Sequence, residues 1–405
     1  MRRQSSVGAH CNGHRTMRIF RGDEPHDAYS DRVCFAMNPQ HTFRRLRVAL
    51  IPPLWARVAS ASQGGVEYTV YLLAEELVKR GNHVTLFTSS DSTTKARVQA
   101  LCDCNMIEAM ERGRVWEYEY YETCNIAEAL SGSDSFDIIH SHVGCYAISL
   151  GALSRTPVLH TLHNPITPDA IWLLARYPNA AVTSVSHQQI VAVPECRRRS
   201  IRVINNGCDF DSYEFSASPG KYLAFLGRMG AGKSPLDAIR IASEVGMPVV
   251  LAGQPLDEDE REYFAEKIEP LIDGSRVVYV GPVDHKQKCA LLKDAAALLF
   301  PIQAEEAFGL VMIESMACGT PVIALQRSSV EEVVDFGKTG FYAASIQALS
   351  SFVPRALALD RTTVRERAKQ RFGHLRMADE YLQAYEDLLN AGSPAQTHLI
   401  TAREL

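Results

Sequence analysis

Residues 297–325 read ALLFPIQAEEAFGLVMIESMACGTPVIAL. Ala297–Phe300 is an apolar run of strand length, and Val322–Leu325 is another. Between them Leu310, Ile313, Glu314 and Ala317 recur on one face of a helix expected over 309–317. Strand, helix, strand in that order is the repeating unit of a parallel sheet joined by crossover helices.

The same grammar extends outward. Upstream, strands are expected at Tyr222–Leu226, Val249–Ala252 and Val277–Val280, with helices near 235–245, 259–271 and 285–294. An earlier set reads Arg47–Ile51, His83–Thr88, Asp137–His140, Pro157–Thr161, Val182–Val185 and Ile201–Ile204. Val66, Val70, Leu73, Leu77 and Val78 share one helical face, and Gly81 follows as a C-cap signal. Asp211–Gly220, polar and rich in Ser, Pro and Gly, reads as a linker. After Val330 only helical patterns are expected, ending with Ala378–Leu389. The fold class is therefore α/β: two Rossmann-like parallel-sheet domains, 47–212 and 213–376, facing across a cleft. Ligands of such sheets bind at the carboxyl ends of the strands.

Length agrees with two domains, because 405 residues exceed what one core usually holds, about 250–300. With 46% hydrophobic residues, wholesale disorder is excluded. A net charge of -5 argues against binding duplex nucleic acid by phosphate neutralisation. No window nears the roughly 18 apolar residues of a membrane span. The 10 cysteines are scattered, and several, such as Cys145, Cys289 and Cys318, sit in apolar runs, as buried thiols of a reducing compartment do. Cys102 and Cys104 have no second pair at zinc spacing. A soluble, cytoplasmic protein is expected. Residues 1–47 hold nine Arg against four acids, lack lysine and show no apolar period. They read as a disordered extension over 1–46, with translation beginning at Met37 as a sharper expectation.

Gly227-Arg228-Met229-Gly230-Ala231-Gly232-Lys233-Ser234 follows a strand and precedes a helix, so backbone amides, a helix N-terminus and two cations face one anion. The spacing also satisfies the Walker A pattern, but none of the downstream strands ends in the Asp that a P-loop enzyme uses for magnesium. Glu314 is a carboxylate on an apolar helical face, which needs a partner. A ribose 2′,3′-diol would bring two donors to its two oxygens. Glu306 precedes the same helix, near its positive end. His140, His142, His160 and His163 cluster at two strand ends without an acidic residue at fixed spacing, so a metal is not expected. Asp257-Glu258-Asp259-Glu260 reads as charge pairing at a helix N-terminus. Arg197, Arg198, Arg199 and Arg202 read as a solvated loop, with weak peripheral membrane contact as the lesser alternative.

Together these motifs resemble the family 4 retaining glycosyltransferases of GT-B fold. The matching pieces are Gly227-Arg228 with Lys233, Val280-Gly281-Pro282-Val283, the Glu306/Glu314 pair, and Ala317-Cys318-Gly319-Thr320-Pro321-Val322. In the first half they are Gln63-Gly64-Gly65-Val66-Glu67, His160-Thr161-Leu162-His163 and Asn206-Gly207-Cys208-Asp209. The likeness runs from about Arg47 to Leu389. It implies an N-terminal acceptor domain, a C-terminal nucleotide-sugar domain, a helix over 377–392 crossing back to the first, and a tail at 393–405.

It also implies roles. Arg228 and Lys233 would hold the donor diphosphate with the Phe308, Gly309 and Leu310 amides. Glu314 would hold the ribose, Glu306 and His163 the transferred sugar, and Val283 would line the base. Gly64 and Gly65 would close over the phosphates. His142 is a weaker candidate. Pro235 and Ala307 depart from the commoner pattern without removing a charge. The donor would be a nucleotide-diphosphate sugar, UDP favoured, and the acceptor an unidentified small molecule, glycan or lipid-linked group. No cofactor, metal or nucleic acid is expected. A P-loop-like NTPase or kinase using Gly227–Ser234, or a GT-B-fold epimerase or phosphorylase, remain the alternatives.

Overall fold

The computed structural model describes residues 44–62 and 64–391. Gln63, the start at Met37, the tail at 393–405 and all but the last three residues of the 1–46 extension lie outside the described residues.

The first sheet contains β1 (Arg47–Ile51), β2 (His83–Ser89), β3 (Arg97–Cys102), β4 (Ile138–Ser141), β5 (Val158–Leu162), β6 (Ala181–Ser184) and β7 (Arg202–Val203). Its order is β3-β2-β1-β4-β5-β6-β7, parallel throughout. The second contains β8 (Tyr222–Leu226), β9 (Val249–Ala252), β10 (Val277–Tyr279), β11 (Ala295–Phe300), β12 (Val322–Leu325) and β13 (Gly340–Ala343). Its order, β10-β9-β8-β11-β12-β13, repeats the first and is again parallel. Each sheet reverses its winding beside its first strand, between β1 and β4 and between β8 and β11. Ligand crevices open at such points.

The central strands are apolar because helices cover both faces. Val48, Ala49, Leu50 and Ile51 of β1 are at most 1% exposed, and β11 is buried along its length. The helix after β1, Gly65–Lys79, buries Val70, Leu73 and Leu77 completely. Each such side chain contributes about 1.5–3 kcal/mol of burial. Gly81 ends that helix at φ 85°, a conformation that favours glycine.

Two strands depart from expectation. β3 is an edge strand with no fully buried residue, so it lacks the apolar run that marks the others. β13 corrects the expectation of helices alone after Val330: Gly340-Phe341-Tyr342-Ala343 pairs with β12. Tyr213, within the segment read as a linker, is buried in the second core.

The closing helix, His374–Asn390, lies against the first sheet. Tyr385 Oη is 2.6 Å from His140 Nδ1, and Thr161 Oγ1 donates to Tyr381 Oη at 3.2 Å. Arg80, the C-cap of the Gly65–Lys79 helix, forms an ion pair with Asp379. Elsewhere the lobes meet directly: Ser186 donates to the Ala307 carbonyl at 2.6 Å, and the His187 amide donates to Glu332 at 2.8 Å.

Candidate active site

Lys233 lies in a single 3-10 turn, Ala231–Lys233, between β8 and the helix Pro235–Glu244. Ser234 turns the chain at φ 57°, and Pro235 opens the helix where its missing N–H costs nothing. This sends the Lys233 ammonium to Glu306, with which it forms an ion pair. Glu306 comes from the loop after β11, and its amide donates to Ser328 Oγ at 3.0 Å. The Gly227–Ser234 segment does not open as a P-loop cradle. The Met229, Lys233 and Ser234 amides donate to the carbonyls of Gln254, Gly230 and Ala231.

Arg228 is half-exposed, and its guanidinium lies 3.3 Å from Glu260. Asp257 caps the Glu258–Tyr263 helix as the acidic run implied. The sequence reading did not foresee that Glu260 of this run would face Arg228.

Gly309, at φ 81°, turns the chain into the helix Leu310–Ala317, whose first amides receive no side-chain cap. The Met312 amide turns back to the Gly309 carbonyl at 3.0 Å, which leaves the Leu310 and Val311 amides as donors at the positive end of the helix dipole. Phe308 itself is buried, edge-on to Phe372 at 5.8 Å, so only its backbone faces this region. Val283 is partly buried against the same core. Across the cleft, a Cβ on Gly65 would come within 2.8 Å of Leu310 Cδ1, and one on Gly64 within 2.0 Å of Glu67 Oε2. A side chain at Gly65 would have to displace Leu310, and one at Gly64 would have to displace the Glu67 carboxylate of its own lobe. Lys233 thus meets Glu306 in the loop ahead of the 310–317 helix, and Gly65 meets the start of that helix from the other lobe.

Glu314 is only 7% exposed and has partners the sequence reading missed. Tyr213 donates to its Oε1 at 2.9 Å, and Lys288 pairs with the same oxygen. A diol bridging both carboxylate oxygens is therefore corrected: Oε1 is already engaged.

The histidines form a chain at the ends of β4 and β5. His140 Nε2 is 2.7 Å from Thr161 Oγ1, and His142 Nδ1 is 2.9 Å from His163 Nε2. His163 is the partly exposed member, while His142 Nε2 and His160 Nδ1 are buried without partners. Burial holds all four below the ordinary imidazole range. Among the described residues, no three His, Cys, Asp or Glu side chains converge as metal ligands.

The basic loop differs from expectation. Arg197 is buried and donates to the Ala180 carbonyl at 2.8 Å, Arg199 pairs with Glu195, and Arg202 pairs with Asp387. Only Arg197 leaves the expected solvated cluster for the interior, while Arg199 and Arg202 remain exposed in surface ion pairs.

Two family descriptions match adjoining segments: Glycosyltransferase Family 4 over residues 63–212 and Glycosyl transferases group 1 over residues 213–371. Similar proteins include the D-inositol 3-phosphate glycosyltransferase of Mycolicibacterium smegmatis, 26% identical over 70% of this chain and 76% of that one. The enzyme of the same description from Mycobacteroides abscessus is 25% identical over 78% and 80%. Among solved structures, Anabaena Alr3699/HepE in complex with UDP and glucose superposes with TM-score 0.65 at 19% identity, covering 84% of this chain and all of that one (100%). Sucrose-phosphate synthase from Thermosynechococcus elongatus gives TM-score 0.68 at 22% identity, covering 86% and 100%. At such identities the solved structures speak for the fold, while the sequence families and relatives speak for the chemistry. With two facing parallel sheets of matching order, the chain belongs to the family 4 glycosyltransferases and has the GT-B fold.

Proposed function

We propose that this glycosyltransferase moves a hexose-type sugar from a nucleotide-diphosphate sugar, UDP-linked by preference, with retention at the anomeric carbon and without a metal. One observation carries the reading: Lys233, from the turn after β8, meets Glu306 in the loop that precedes the 310–317 helix, and Gly65 packs on that helix from the other lobe. Lys233 is paired with Glu306. An incoming diphosphate takes the ammonium and frees the carboxylate for sugar hydroxyls. Lys233, Arg228 and the Phe308–Leu310 amides then stabilise charge as it accumulates on the departing phosphate. His163 orients the hexose, Glu314 receives a ribose hydroxyl, Val283 lines the base, and Gly64–Gly65 let the backbone close over the phosphates. The acceptor attacks the face the diphosphate leaves, and the leaving phosphate takes its proton.

UDP is favoured because a structural relative was solved with UDP and glucose. The relatives described as D-inositol 3-phosphate glycosyltransferases make a polyol phosphate the first acceptor to try. A thermal-shift screen of UDP-, GDP- and ADP-sugars identifies the donor, since only a bound ligand raises the melting temperature. With that donor, Lys233→Ala is expected to lower turnover about 10²–10³-fold, the usual loss when one preorganised anion donor is removed. EDTA is expected to leave the wild-type rate unchanged. Near-wild-type turnover by Lys233→Ala contradicts the reading.

A further inference from the structure

Lys288 is none of the residues assigned above to the donor, yet its surroundings are built as a site. It projects from the helix His285–Lys293 with its side chain 18% exposed, and it pairs with Glu314. Its ammonium lies 5.8 Å from the ring centroids of both Tyr68 and Tyr213. Tyr213 also donates to the Glu314 oxygen that Lys288 holds. Tyr68 belongs to the first-lobe helix Gly65–Lys79, so the cation sits where the two lobes meet. Tyr68 in turn lies 6.1 Å from the His285 ring, a second contact across the same boundary.

A carboxylate as enclosed as Glu314 needs a compensating cation. Lys288 is that cation, and its own burial is offset by two aromatic faces and one carboxylate. Both protein bonds fall on Oε1, which fixes the orientation of the carboxylate and leaves Oε2 for a ligand. We infer that Lys288 is a positioning residue: it pairs with Glu314 and holds it turned so that Oε2 receives a ribose hydroxyl, and Tyr68 makes that arrangement depend on the first lobe. The inference rests on the proposed contact between Glu314 and ribose. It adds a residue whose effect reaches the ligand only through Glu314.

The test measures binding of UDP and of 2′-deoxy-UDP by calorimetry to the full chain and to Lys288→Gln, Lys288→Arg, Glu314→Gln and Tyr68→Phe. For the wild type, UDP should bind about tenfold or more tighter than the deoxy nucleotide, the value of one hydrogen bond to a charged group. In Lys288→Gln that preference should fall to within about twofold, matching Glu314→Gln, because both remove the same charge-assisted bond. Lys288→Arg should restore most of it, and Tyr68→Phe, which keeps the ring, should leave it intact. The double variant Lys288→Gln/Glu314→Gln should lose no more discrimination than either alone. A purely structural pair lowers the melting temperature but leaves the ratio of the two affinities untouched. Unchanged discrimination in Lys288→Gln alongside lost discrimination in Glu314→Gln overturns the role of Lys288 while the ribose contact stands. No discrimination in the wild type, or none lost in Glu314→Gln, removes the ribose contact and this inference with it.

Discussion

Glu67 lies beneath the Gly64–Gly65 turn at 3% exposure, and its Oε1 accepts from the Ala56 amide at 3.0 Å. The bond ties the loop after β1 to the glycine turn that faces Leu310. Burial, reinforced by the nearby Glu122 carboxylate, pushes the Glu67 carboxyl up to about 7. The folded chain therefore holds this proton to a higher pH than the unfolded chain does. Its penalty is absent below about 4.5, grows as pH rises, and is complete above about 7, at about 3 kcal/mol. Glu67→Gln keeps an acceptor for Ala56 and removes the charge. Its stability gain over wild type, measured by urea unfolding, should grow by up to about that amount between pH 5 and pH 8. A gain that does not change with pH would mean that Glu67 is already neutralised by another group.

At the scale of elements, the turn at Gly309 directs the Leu310–Ala317 helix into the cleft. Its φ is 81°, and an added Cβ would come within 2.7 Å of Met312 and 3.0 Å of the Phe300 ring. Gly113 has a similar φ, 65°, with nothing within 4 Å. Gly113→Ala should therefore cost about 1–2 kcal/mol, the conformational penalty alone. Gly309→Ala should cost more, about 3 kcal/mol, because overpacking is added to it. Equal urea midpoints for the two variants would show that the core around Phe300 yields freely. This helix was legible from sequence because its apolar period and the two Glu residues stand in one continuous segment. The central strands β1, β8, β9 and β12 were legible to the residue, being covered on both faces and hence apolar but for the exposed Arg47 at the start of β1. Edge strands β3 and β13 were not, because one open side permits polar residues and a leading glycine. Lys288 escaped notice among Lys286, Lys288 and Lys293, three lysines of one short helix. Only its packing against Glu314, Tyr68 and Tyr213 separates it from a surface charge. Arg197 was misread for the same reason, since its carbonyl partner comes from a distant strand boundary.

Across the whole molecule, buried histidines are unevenly shared. His140, His142 and His160 all lie in the first sheet or just beyond it, at no more than 3% exposure, and β8–β13 contain no histidine among the described residues. Burial pulls each of the three below its ordinary value, His160 to about 4, with neighbouring imidazoles pulling His140 and His142 further. A group that is neutral when folded contributes its full stability above about 6.5 and loses it as pH falls, because the unfolded chain takes up the proton first. For His160 that loss reaches about 3 kcal/mol near pH 4. His140 bonds Tyr385 and Thr161, so charging it also disturbs the docking of the His374–Asn390 helix. Acid should therefore loosen the protein asymmetrically. Hydrogen exchange at pH 7.5 and pH 5, corrected for intrinsic rates, should show protection falling first in β4, β5 and the closing helix. The amides of β8, β11 and β12 should keep theirs over the same range. Tyr385→Phe, which leaves His140 Nδ1 without its hydroxyl partner, should bring the same loss on at neutral pH. If the second sheet loosens first, or both lobes loosen together, the buried imidazoles are not what sets the acid limit of this fold.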